Sequence, residues 1–171
     1  TKASASALAA FVDKSVSNLS SVVMVVEAGR KRILLTGDAR GDRILEGLQL
    51  ARLLKPGAAS TMHVDVMKMP HHGSANNVDQ TFFERITADH YVLCGNGEHG
   101  NPERETLEML FAARGNAPLI VYFTYPIGEI DAARRIDWAK EQAKEKKKGK
   151  KTRPSWSPKK HALGAFFASR R

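Results

Sequence analysis

The chain has 171 residues, of which 42% are hydrophobic and 26% charged, and a formal net charge of +9. That length supports one domain with a core of its own, and the lack of any run of about 18 apolar residues excludes a membrane-spanning helix. The single cysteine, Cys94, excludes an internal disulfide and points to a reducing, cytoplasmic setting.

The charge is unevenly placed. Residues 140–171 hold twelve Lys and Arg against two Glu, while the rest of the chain is near neutral. The excess therefore belongs to a tail. It reads either as a solvated extension or as a contact for a phosphate-rich partner such as nucleic acid. The chain begins at Thr1 without an initiating Met, which reads as a processed or excised piece. Residues 1–10 lack a basic start and a strong apolar run, so they are not read as a signal peptide.

In chain order, Ser20 to Glu27 is β-branched and nearly continuous, as a buried strand is. Ala28-Gly29-Arg30 is a turn, and Lys31 to Leu35 completes a hairpin. Ile44, Leu45, Leu48, Ala51 and Leu54 predict a helix over 42–54, stopped by Lys55-Pro56-Gly57. A strand follows at 64–69. Asp79 caps a helix through Phe82, Phe83 and Ile86. His90 to Cys94 is a short strand. Pro102 opens a helix carrying Leu107, Leu110 and Phe111, and Gly115 ends it. Pro118 to Phe123 is the last strong strand, and Arg134 to Lys148 starts helical before becoming pure charge. This alternation indicates an α/β or layered α+β domain without internal repeats.

Two short motifs follow apolar strands. Leu34-Leu35-Thr36-Gly37-Asp38-Ala39 ends one, and Pro70-His71-His72-Gly73-Ser74 follows another. Neighbouring strand ends form a lip where a carboxylate and imidazoles can converge on one cation. Gly37 gives Asp38 a tight backbone. His71 and His72 point to opposite sides of an extended chain, so both reach one site only if the backbone turns there. Otherwise one is a ligand and the other a supporting or substrate-contacting group, with Ser74 as an orienting hydroxyl. A third cluster, Gly95 to Pro102, lies between a strand and a helix, and its His99 suits phosphate binding or acid catalysis. Taken singly, each piece has an ordinary reading as a turn or an exposed histidine. His63, His90 and His161 are read as structural or exposed.

The run Asn18 to Val23, then Leu35 to Ala39, Met69 to Ser74, and His99 to Pro102 resembles the metallo-β-lactamase superfamily. The branch most similar is that of the hydrolase domain of DNA-uptake (competence) channel proteins, and the likeness spans about residues 12–114. The resemblance implies an αββα sandwich and hydrolysis, mostly of phosphodiesters, with one or two divalent ions, commonly zinc and sometimes manganese or iron. It implies Asp38 as bridging carboxylate, the His71–His72 pair as a metal-binding histidine with a companion, and His99 as a substrate-side group.

The family also carries an earlier His-x-His-x-Asp-His cluster, which this chain lacks. The expectation is therefore the C-terminal half of such a domain over residues 1–125, with a basic helical or disordered extension over 126–171. An N-terminal half, attached, cleaved off or separate, would complete both core and site. Half a sandwich leaves one sheet face bare, at a cost of roughly 25 cal/mol per Å² of apolar surface. Trp156 and Phe166-Phe167 are read as a patch docking the tail against the body or a partner, or else as stacking groups for bases. The alternative to an enzyme is a non-catalytic nucleic-acid-binding or partner-docking module.

Overall fold

The structure is a computed structural model that describes Asn18 and residues 20–170. The expected domain before Asn18, and Leu19 within the first motif, lie outside the described residues. The protein is mixed α/β, built on a five-stranded, mostly parallel sheet in the order β1-β2-β3-β4-β5. The strands are β1 (Met24–Ala28), β2 (Lys31–Leu35), β3 (Met62–Lys68), β4 (Ile86–Leu93) and β5 (Ile120–Phe123). Among the described strands only β1, joined to β2 by the Gly29 turn at φ +61°, runs antiparallel to its neighbour. Glycine takes this left-handed backbone without steric penalty.

The helices are α1 (Gly41–Leu50), α2 (Gln80–Arg85), α3 (Arg104–Arg114), α4 (Ile127–Lys147), α5 (Pro158–His161) and α6 (Leu163–Ala168). The expected helix over 42–54 stops at Leu50 because Arg52 turns to φ +60°, yet Leu54 still returns to the core. The expected Asp79 cap is present, its carboxylate accepting from the Phe82 amide at 2.8 Å. β4 starts at Ile86, four residues before the expected strand. The polar run Thr87-Ala88-Asp89-His90 conceals a segment whose Ile86 and Ala88 are buried.

The pairing register decides which side chains share a face. Val25, Leu34, Met67, Tyr91 and Val121 form one row across all five strands. Leu34, Met67 and Tyr91 in it are fully buried. They join one cluster with Ile44 and Leu48 of α1, Phe82 and Phe83 of α2, Leu107 and Leu110 of α3, Ile130 of α4, and Leu163 and Phe166 of α6. The next row is Val26, Ile33, Val66, His90 and Ile120. Successive residues of a strand face opposite sides, so this row, with Met24 and Tyr122, lies on the other face. That face is apolar and open: Met24 is 49% exposed, Ile120 50% and Tyr122 47%. His90 belongs to it, and its buried Nδ1 has no hydrogen-bond partner among the described residues.

An exposed contiguous apolar face marks an interaction surface. The chain on its own is therefore expected to bind a solvatochromic dye such as ANS, and Met24→Lys with Ile120→Lys to lose most of that signal without losing stability. Equal dye binding by both forms, read by fluorescence, would show that the face is not what the dye detects.

The basic extension is helical through α4, and the chain then folds back along that helix. Arg153 is tied to Glu145 through its backbone amide and its guanidinium, at 2.8 and 2.9 Å. Gln142 donates to the Arg153 carbonyl and Trp138 to the Pro154 carbonyl. Trp138, Trp156 and His161 stack together, with the Trp138 and His161 ring centres 4.3 Å apart. Phe166 is fully buried against Phe111 and Phe167. Phe166 and Phe167 thus dock the tail on the body through Phe111 and Phe123, while Trp156 packs within the tail against Trp138 and His161. Ile130, Leu163 and Phe166 of this segment fill part of the core, so residues 126–170 do not simply trail from it.

Candidate functional site at the ends of the parallel strands

β2 and β3 are parallel, with Leu34 opposite Met67. Three residues beyond each stand Gly37 and Pro70, so the two motifs emerge side by side. Gly37, at φ +53°, turns the chain tightly. A Cβ there would stand 3.3 Å from the Val22 carbonyl oxygen. The Asp38 amide donates to Ser21 Oγ at 3.1 Å, and the His71 amide donates to the Gly37 carbonyl at 3.1 Å.

After Pro70 the chain makes a single 3-10 turn, and both histidines take the left-handed conformation: His71 at φ 44°, ψ 49° and His72 at φ 57°, ψ 19°. Such residues cost on the order of 1–3 kcal/mol each and collect at functional sites. The turn lets both rings line one cleft, their centres 6.1 Å apart. Gly73 follows at φ +86°, where a Cβ would stand 2.8 Å from both Leu93 and Pro102.

His72 Nε2 lies 3.4 Å from Asp38 Oδ1. Its Nδ1 lies 3.2 Å from the Cys94 carbonyl oxygen. A carbonyl oxygen can only accept, so Nδ1 carries the hydrogen and a neutral ring turns the lone pair of Nε2 towards the carboxylate. Two acceptors facing each other repel unless a proton or a cation lies between them. Two donors each about 2.1 Å from one tetrahedral ion stand about 3.4 Å apart, so the separation suits a shared cation.

His71 is held differently. Its Nδ1 is 2.9 Å from Asn77 Oδ1 and 3.5 Å from Asn18 Nδ2. The amide oxygen of Asn77 fixes a hydrogen on Nδ1, and Asn77 Nδ2 also donates to the Asp38 carbonyl at 3.4 Å. Asp38, His71, His72 and His99 all line one cleft of about 490 Å³, together with Tyr125 and Asn101. His99 stands exposed at its rim. Ser74 is buried and turned away, sharing Glu103 Oε1 with the Ala75 amide. Burial raises the pKa of the Glu103 carboxyl, opposed by the hydrogen bond from Ala75.

The structure thus brings Asp38 and His72 together and sets His71 and His99 around the same space. Among the described residues, no three His, Cys, Asp or Glu side chains gather as a metal site. Asp38 and His72 therefore fit two positions of a cation site and fall one short of the three protein ligands that a catalytic zinc needs.

Sequence reasoning missed Lys68 and Asn77. Lys68 Nζ donates to the Gly37 carbonyl at 2.6 Å and lies 3.8 Å from Asp38 Oδ1. Desolvation lowers its pKa, against the pull of the Asp38 carboxylate. Its one signal was a lysine in an apolar strand two residues before Pro70. Asn77 gave no signal, because its contact depends on how the loop closes over His71.

No family model and no solved structure matches the chain. Part of it is similar to microtubule-associated protein 1A, at 36% identity over 61 residues to the rat protein. The mouse and human proteins share 34% and 33% identity over stretches of the same length. Each stretch is 35% of this chain and spans 2% of the length of the curated relative. Among the described residues no helix is long and apolar enough to cross a membrane.

Proposed function

We propose that this chain is the C-terminal half of a metal-dependent hydrolase acting on phosphodiesters, with the two-sheet layering of the metallo-β-lactamase superfamily. The observation that carries the reading is the Asp38–His72 corner, where His72 Nε2 and the Asp38 carboxylate oxygen Oδ1 meet at 3.4 Å. Asp38 and His72 would hold the ion, with the further ligands coming from an N-terminal half. When bound, zinc, manganese or iron supplies a water with a pKa lowered towards about 7 and polarises the scissile group.

The chain's own residues do the rest. Lys68 orients the Asp38 carboxylate. Asn77 fixes His71 so that Nε2 is the atom that takes or returns a proton. His99 at the rim faces incoming substrate and can donate to a developing negative charge. The open apolar face of the sheet supports the half-domain reading, because a second sheet would bury it. It also favours a second reading, a non-catalytic module that docks on another chain.

Metal binding separates the two. Zinc titrated into the chain, followed by the NMR signals of its histidine rings, is expected to shift His72 before His63 or His161. Asp38→Asn is expected to remove that preference. Shifts spread evenly over all six histidines would contradict the hydrolase reading and leave the docking module.

A further inference from the structure

The cleft does not end at His99. It shares His71, His99 and Asn101 with a second pocket of about 340 Å³, lined by Trp138 and Trp156 and, further along α4, by Asp137, Glu141 and Arg153. Together they form one trough running from the Asp38–His72 corner along α4. Beyond Glu141, six more residues of helix carry the chain about 9 Å further to Lys147. There α4 ends, Gly149 turns at φ +63°, and the chain doubles back.

This tip carries Lys146, Lys147, Lys148, Lys150 and Lys151, all exposed. Its acidic neighbours are already engaged, Glu141 with Lys144 and Glu145 with Arg153. Among the described residues none of the five lysines forms an ion pair. The tip is also held in place, because Arg153 and the Trp138–Trp156–His161 stack fasten the returning strand to α4. From Lys144 to Arg153 it has no large apolar side chain, whereas surfaces that bind membranes combine cations with apolar anchors.

We propose that this lysine tip binds the phosphodiester backbone of a nucleic-acid strand and lays it along the trough towards Asp38 and His72. The second half of that statement rests on the hydrolase reading, and the first does not. A fixed cluster of unpaired cations beyond the Glu141 end of a trough gains affinity by releasing counterions from a polyanion. It gains far less from a mononucleotide, which brings few of them.

The test is fluorescence anisotropy of a labelled 30-nucleotide single-stranded DNA with the full chain, in EDTA, at 50–250 mM KCl. A five-fold Lys→Gln variant at 146, 147, 148, 150 and 151 is compared, with circular dichroism as the check on folding. The variant is expected to bind more than about tenfold more weakly at low salt. Its log–log salt slope is expected to be shallower by roughly three to four, at about 0.7 for each phosphate that the lysines neutralise. Anionic vesicles and polyglutamate are expected to compete poorly. Unchanged affinity and slope in the variant would overturn the proposal, as would tighter binding to vesicles or polyglutamate than to the oligonucleotide. EDTA makes the outcome independent of the metal: binding without a His72 zinc response sinks the hydrolase alone, and the reverse sinks the tip alone.

Discussion

Asp38→Ala is expected to lower zinc affinity more than about 100-fold while leaving the fold in place. Loss of a residue that only supports a metal ligand already costs roughly 10–100-fold in affinity, and Asp38 is proposed as a ligand itself. The fold survives because the part of residue 38 that the structure uses is its backbone: the amide donates to Ser21 and the carbonyl accepts from Asn77. The carboxylate is 35% exposed and faces His72 and Lys68 across the cleft. His72→Ala is expected to behave in the same way, whereas His71→Ala and His99→Ala should cut turnover of the completed enzyme more than metal content. Equilibrium dialysis with elemental analysis reads the metal, and a thermal melt reads the fold. Unchanged zinc affinity in Asp38→Ala would remove the ion from this corner.

Phe166→Ala is expected to destabilise the chain by about 3–5 kcal/mol. The ring is fully buried, packs edge-on against Phe111 and Phe167, and lies beneath the Arg170 guanidinium at 3.8 Å. No neighbour can collapse into the space without pulling α6 off α3. The two ties from the Asp131 carboxylate to the Leu163 and Gly164 amides then have less to hold. Urea unfolding followed by the emission of Trp138 and Trp156 measures the effect. A destabilisation below about 1 kcal/mol would mean that α6 is an accessory to the core.

The strands were legible wherever apolar side chains run together. β2, β3 and β5 declare themselves by composition, β1 is a mostly exposed edge strand from Met24 rather than the buried strand expected from Ser20, and β4 is placed only in its second half because Thr87, Asp89 and His90 hide Ile86 and Ala88. The corner was also legible. A Gly-Asp after one strand and a His pair after the next are ligand-type residues whose convergence needs only parallel neighbouring strands. What was missed depends on register and loop closure. Lys68 reaches Asp38 because β3 lies beside β2, and Asn77 reaches His71 because the chain doubles back over it. The tail's charge run hid its packing. The expectation that Trp156, Phe166 and Phe167 form a docking patch named no partner surface, and Phe111, Phe123 and Trp138 emerged as that surface only once α3, β5 and α4 were placed.

The uncovered flank of the sheet has a bearing on how much of this chain a cell can hold. Apolar surface left in water is what chaperones and degradation machinery engage. On the half-domain reading proposed above, copies made in excess of the half that would shield Met24, Ile33, Ile120 and Tyr122 are the ones expected to be removed. On that reading the standing level of the chain is expected to follow the supply of its cover rather than its own rate of synthesis.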